Sequence, residues 1–126
     1  MSGEVVHFEV PAEDITRARA FYGEAFGWKF DEYPQMDYTL VTTTPSGDKG
    51  PIEPGAINGG MVSREGPFAG PLITIRVDSI ASSLETIGRL GGSTVVERQA
   101  VGDMGFTAYF RDTEGNLTCL WEDAGH

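Results

Sequence analysis

The stretch that decides the fold is Val5-Val6-His7-Phe8-Glu9-Val10, followed by the segment from Asp14 to Gly27. At a period of two, Val6, Phe8 and Val10 share one face of a strand, while Val5, His7 and Glu9 share the other. The apolar face needs a cover. Ile15, Ala18, Phe21, Tyr22, Ala25 and Phe26 recur as one helical stripe and supply it. Burying Ile15, Phe21, Tyr22 and Phe26 is expected to contribute roughly 1.5–3 kcal/mol each before the entropy of ordering is subtracted. With a helix over Phe8, the side chains of His7 and Glu9 point to the opposite side of the sheet. A histidine and a carboxylate two residues apart on that side are the first candidates for function.

Local punctuation extends the pattern along the chain. Pro11 is expected to end the first strand, since it cannot donate to a ladder. Asp14 suits a helix N-cap and Gly27 a left-handed stop. Trp28 to Glu32 alternates as strand two, Pro34 and Gln35 make a turn, and Tyr38 to Thr43 is strand three. Pro45 to Pro54, with two glycines and three prolines, reads as a loop. Gly55 to Val62 reads as strand four. Its Gly59-Gly60 pair marks a bulge, a close approach by a ligand or another backbone, or a simple bend.

Ser63 to Pro71 is rich in Gly and Pro and reads as a linker. Leu72 to Val77 is strand five. Asp78 or Ser79 caps a second helix with the stripe Ile80, Leu84, Ile87 and Leu90, which Gly91-Gly92 stops. Strands at Ser93 to Val101, Phe106 to Arg111 and Leu117 to Glu122 follow, the last two joined by a hairpin-type turn over Asp112 to Asn116.

The order is strand, helix, three strands, twice over. Ile15 and Ile80 open equivalent helices, Gly27 and Gly92 follow them, and the same spacing carries His7 onto Leu72. Each half has one helix on one face of a sheet, and the open faces are expected to curve around a shared cavity. The expected architecture is α+β, two βαβββ modules (about 1–65 and 70–126) forming a single domain with a curved mixed sheet and outer helices.

Composition narrows the function classes. Nine Lys and Arg against 19 Asp and Glu give a net charge of −10, which argues against a nucleic-acid surface. The acidity is compatible with a cationic small-molecule ligand, and equally with simple solubility. No apolar run is long enough to span a bilayer, so no membrane role is expected. Cys119 is the single cysteine and has no partner for an internal disulfide. A reducing, cytoplasmic location follows as the expectation, with no secretory opening visible.

These residues resemble the vicinal oxygen chelate superfamily, the glyoxalase, bleomycin-resistance and extradiol-dioxygenase fold. The resemblance is carried by His7-Phe8-Glu9-Val10, Arg19-Ala20-Phe21-Tyr22 and Ala25-Phe26-Gly27-Trp28. In the second half it is carried by Val77-Asp78, Leu90-Gly91-Gly92 and Asp112-Thr113-Glu114-Gly115-Asn116. It spans Val5 to Glu122 and specifies the fold more than any one activity, because the superfamily hosts isomerases, dioxygenases, thiol transferases and non-catalytic drug binders.

In metal-dependent members, the resemblance implies one ligand from the first and one from the last strand of each half. His7 fits the first position. The fourth strand offers only Ile57, Asn58, Gly59, Gly60 and Met61, the fifth begins with Leu72, and the eighth places Cys119 where the enzymes mostly carry Glu. His7 is thus the only family-matching metal ligand, and the other histidine, His126, is the last residue of the chain. Divalent metals require three or more nitrogen, oxygen or sulfur donors. The expectation is therefore no metal and no cofactor, with a divalent metal as the alternative.

The reading that follows is a metal-independent small-molecule binding protein of the glyoxalase/bleomycin-resistance type, a homodimer that sequesters a drug or metabolite. Its apolar pocket carries a few polar groups, with His7, Glu9, Asn58, Thr74, Arg76, Cys119 and Trp121 as the candidates. His7 suits acid–base work or anchoring, and Glu9 a general base or a counter-charge to a cation. Each also suits a plain role as a hydrogen-bonded or solvated sheet residue. Cys119 would need a neighbouring positive charge to become a thiolate, and Arg76 is the nearest candidate along the sheet. The alternatives are a metal-dependent lyase, isomerase or dioxygenase with a non-standard metal site, and a regulatory or interaction module.

Overall fold

The structure is a computed structural model that describes residues 3–34 and 38–125. In chain order it comprises β1 (Val5–Ala12), α1 (Ile15–Phe26), β2 (Lys29–Tyr33), β3 (Tyr38–Thr42), β4 (Ser46–Gly47) and β5 (Gly50–Pro51). Next come β6 (Gly59–Ser63), β7 (Leu72–Arg76), α2 (Ile80–Arg89), β8 (Ser93–Val101), β9 (Gly105–Arg111) and β10 (Leu117–Asp123). The chain divides into two units. One runs from His7 to Pro71, and the other joins the segment ending at Val6 to the chain from Leu72 onward.

In the unit from His7, the strand order is β2-β3-β6-β1. β1 and β6 run parallel, with Phe8 opposite Gly59 and Glu9 opposite Gly60, and the remaining pairs are antiparallel. Asp14 caps α1 by accepting the Arg17 N–H at 3.0 Å, and Gly27, at φ 76°, closes it by donating to the Gly23 carbonyl. The helix covers the Phe8 face. Ile15, Ala18 and Tyr22 pack against a core of Ala12, Val41 and Met61, joined by Phe8, Trp28 and Phe30. Tyr22 stacks on Trp28 with ring centroids 4.6 Å apart.

The unit from Leu72 repeats this plan. Its order is β7-β10-β9-β8, with β7 and β10 parallel and the other pairs antiparallel. Ser79, not Asp78, caps α2 by accepting the Ser82 N–H at 3.1 Å. Ile80, Leu84 and Ile87 pack on Ala108, Phe110 and Leu120, with Ile75, Val77 and Phe106 around them. Gly92 is tight because a Cβ there would meet the Ile87 side chain and the Arg111 carbonyl. In the β9–β10 turn, Asp112 Oδ1 accepts the N–H groups of Glu114 at 2.8 Å and Asn116 at 2.9 Å. Those backbone donors, Asn116 first, lower the Asp112 pKa.

Several expectations need correction. Pro11 does not end β1, which continues to Ala12. The Ala12 carbonyl accepts from Arg64, so residue 12 faces β6 and Pro11 faces away, where this ladder needs no donor from it. Phe21 and Phe26 are 61% and 65% exposed, and Ala25 is exposed as well. Phe21 lies off the Ile15–Ala18–Tyr22 line, and Phe26 is the last helical residue, beyond the core that the stripe covers. Leu90 is likewise exposed at the end of α2. Strand four starts at Gly59 rather than Gly55, and the loop from Pro45 to Pro54 contains the small β4–β5 hairpin. The turn expected at Pro34 and Gln35 lies, from residue 35 on, outside the described residues, as does His126.

Candidate functional site

Alternation along each strand decides which side chains stand on the face that the helix leaves uncovered. In the unit from His7, Phe8 lies under α1, so His7 and Glu9 stand on the opposite face. Glu9 is 5% exposed and His7 is half-buried. Burial lowers the His7 pKa below the ordinary 6.5, because desolvation disfavours the imidazolium. The neutral imidazole is therefore the form held near neutral pH.

Asn58 sits immediately before β6 and ties down the loop beside it. Its Oδ1 accepts the Thr43 N–H at 2.9 Å, and its Nδ2 donates to Ser46 Oγ at 2.8 Å. Thr43 Oγ1 in turn donates to the Ile57 carbonyl. Both ends of the Asn58 amide are thus engaged with the protein.

The unit from Leu72 brings the remaining four candidates to one face. Thr74 is the register partner of Cys119, and Arg76 that of Trp121. Leu72, Thr74 and Cys119 are all buried. The Thr74 hydroxyl is buried without a hydrogen-bond partner among the described residues, and the Cys119 thiol donates to the Leu120 carbonyl at 3.5 Å. Arg76 is ion-paired with Glu4 at 2.8 Å and with Asp123 at 3.6 Å. Its hydrogen bond lowers the Glu4 pKa, and Glu4 raises that of Arg76. Trp121 Nε1 donates to Asp123 Oδ1 at 2.8 Å. Arg76 therefore lies opposite Trp121 rather than Cys119, with its charge matched by two carboxylates.

Two features escape sequence reasoning. Gly60 is a glycine because Tyr38 reaches over it: a Cβ there would overlap the tyrosine hydroxyl. Gly59 is a glycine because the Phe8 ring fills the space on the other face. The Gly59-Gly60 pair signals a close approach but not which side chain makes it. The second is a cleft of about 310 Å³ lined by Ile15, Glu32, Pro34, Tyr38, Thr39, Met61 and Ser63. None of the seven candidates lines it.

The donor set can be tested against the metal that the fold family implies. Of the family positions, His7 offers one nitrogen, Leu72 none, and Gly59 and Gly60 have no side chain; Asn58 is engaged, and Cys119 is a buried thiol. Among the described residues, no three His, Cys, Asp or Glu side chains come together in a group able to hold a metal ion. This set does not fit a divalent ion held in the family manner. No described helix is long and apolar enough to cross a membrane.

Two βαβββ units with matching strand order, each with a helix over one face, define the glyoxalase-type α+β class. Comparison with known proteins agrees. A family model described as bleomycin resistance protein-like N-terminal matches residues 4–44. A glyoxylase-like domain-containing protein from Didymella fabae is 32% identical over 126 residues, covering 95% of this chain and 94% of its own. The chain belongs to this glyoxalase/bleomycin-resistance family, within the vicinal oxygen chelate superfamily.

Solved structures share the fold. A hypothetical protein from Bacillus halodurans C-125 superposes with a TM-score of 0.67 at 17% identity, over 100% of this chain and 98% of its own. A Streptomyces coelicolor methylmalonyl-CoA epimerase in complex with 2-nitronate-propionyl-CoA gives 0.66 at 13% identity, over 99% and 97%. The Mycobacterium tuberculosis methylmalonyl-CoA epimerase gives 0.61 at 16% identity, over 98% and 89%.

Proposed function

We propose that this chain is a metal-independent small-molecule binding protein of the glyoxalase/bleomycin-resistance type, one that sequesters a drug or metabolite. The observation that carries the reading is the identity and engagement of the groups at the family's metal positions. One desolvated imidazole, one leucine and one buried thiol make a poor donor set for a divalent ion, which supports a ligand contact over a metal site. In this reading the ligand-contacting groups stand on the sheet face opposite the helix within each unit, taken by itself: His7 and Glu9 in the unit from His7, and Thr74, Cys119 and Trp121 in the unit from Leu72. Arg76 and Asn58 hold that surface in place through their existing partners. The protein works as a homodimer in a reducing, cytoplasmic compartment.

Thermal-shift screening of the purified full chain tests the reading, since a ligand that binds only the folded state raises Tm. The expectation is a concentration-dependent rise in Tm with a subset of apolar or aromatic compounds, unchanged by a chelator. A broad library that stabilises nothing would remove the binding reading and leave an interaction module in its place.

A further inference from the structure

On the helix side of the unit from His7, two successive rows of register partners change character. Phe30 on β2 pairs with Val41 on β3, and Val41 with Gly59 on β6, where the Phe8 ring fills the space. That row is apolar and belongs to the core under α1. Two residues along each strand, Glu32 pairs with Thr39, and Thr39 with Met61. Partners in register share a face, and Met61 packs with Ile15 of α1, so this row also lies on the helix side, opposite His7 and Glu9. The helix begins at Ile15, and the cleft of about 310 Å³ opens beside that first turn, with Ile15, Glu32, Thr39, Met61 and Ser63 among its walls.

The lining combines apolar walls with hydroxyls. Thr39 is 6% exposed, and its hydroxyl makes no hydrogen bond to any described residue. A buried hydroxyl without a partner gives up its water for nothing, so its presence where the neighbouring row carries Val41 asks for a partner. Ser63, half-buried at the end of β6, adds a second hydroxyl. The charges around the cleft are already matched. Glu32 pairs with Arg19, which lies over the Phe30 ring. Arg64, the residue after Ser63, pairs with Glu13 at 3.2 Å. Asp14 accepts the Arg17 N–H and complements the start of the helix dipole. Neither an ammonium nor a carboxylate group would find an unmatched counter-charge among these residues, and either would pay for leaving water. The volume is at the lower end of the roughly 300–1,000 Å³ that ligand clefts span, so the occupant is small.

We propose that this cleft is a second binding site, one for a small uncharged hydroxyl compound with a compact apolar body, of which a simple phenol is an example. The apolar body packs against Ile15 and Met61. The ligand hydroxyl accepts from Thr39 and donates to the Glu32 carboxylate. Register partners have Cβ atoms about 5 Å apart, so one hydroxyl group can bridge the two side chains. The Arg19 pair keeps the carboxylate from demanding a cation. The site lies on the other face of the unit from the His7 and Glu9 contacts and stands independently of them.

The test titrates p-cresol, its methyl ether, the p-toluate anion and the p-methylbenzylammonium ion into the isotope-labelled full chain, followed by NMR. p-Cresol is expected to move the backbone amide signals of Ile15, Thr39 and Ser63. It should bind about tenfold more tightly than either charged probe, and about fivefold more tightly than the ether, which cannot donate to Glu32. Thr39→Val, which keeps the shape and removes the hydroxyl, should weaken p-cresol about fivefold. Ser63→Leu, which fills the cleft, should abolish the shifts. No binding of p-cresol, equal or tighter binding of a charged probe, or full affinity in Thr39→Val would each overturn the proposal. The wild-type titration decides the matter even if a variant fails to fold. Shifts confined to His7 and Glu9 would place p-cresol on the opposite face, removing the second site while supporting the binding reading above.

Discussion

The Glu122 carboxylate, on β10, accepts the backbone N–H of Ile80 at 2.8 Å and so closes the first turn of α2 from outside the helix. Its second oxygen accepts from Arg98 on β8 at 3.0 Å, and Arg98 lies over the Phe106 ring. One half-buried side chain thus joins the helix start to two strands of its unit, complementing the N-terminal end of the helix dipole. Glu122→Ala should lower stability by about 1–2 kcal/mol, measured by urea unfolding, with Glu122→Gln losing less. A change within error for both variants would show that water replaces the contact.

Gly60→Ala should destabilise the chain by about 1–3 kcal/mol, because the added methyl group overlaps the Tyr38 hydroxyl. The penalty should shrink markedly in a Tyr38→Ala background. A double-mutant cycle reads the coupling directly. If the two changes add without coupling, Tyr38 does not occupy that space.

Thr74→Val should raise stability by about 1 kcal/mol. The residue is 3% exposed, and its hydroxyl, unpartnered among the described residues, is nearly isosteric with the methyl group that replaces it. A loss of stability on this substitution, seen as a fall in Tm, would mean that the hydroxyl has a partner after all.

The His7 pKa is lowered in the folded chain, so the unfolded chain takes up its proton first as the pH falls. The stability associated with a neutral His7 is complete above the ordinary value of 6.5 and is lost as the pH falls from there through the folded value. Urea midpoints between pH 7.5 and pH 5 should fall more steeply for the wild type than for His7→Asn. Equal slopes would show that His7 titrates alike in the two states.

Much of this arrangement is legible in the order of the residues. Asp14, Gly27 and Ser79 announce helix ends because each satisfies orphan backbone groups or takes a left-handed turn that few other residues favour. Alternation places Leu72, Thr74 and Arg76 on one face, and Leu117, Cys119 and Trp121 on one face; the register makes these the same face of the unit. What stays hidden depends on contacts between distant residues. Nothing near Gly60 in sequence points to Tyr38. Pro11 survives inside β1 only because of which neighbour it faces, and the exposure of Phe21 depends on how far the core beneath α1 extends. The engagement of Asn58 by Thr43 and Ser46 is likewise a tertiary fact.

The most direct test of the account is the metal content of the purified full chain, measured by elemental analysis alongside Tm before and after chelation. The account predicts zinc, nickel, iron and manganese far below one equivalent, with Tm and ligand-induced stabilisation both unchanged by the chelator. Near-stoichiometric metal in the wild-type chain, lost on His7→Ala, would contradict it.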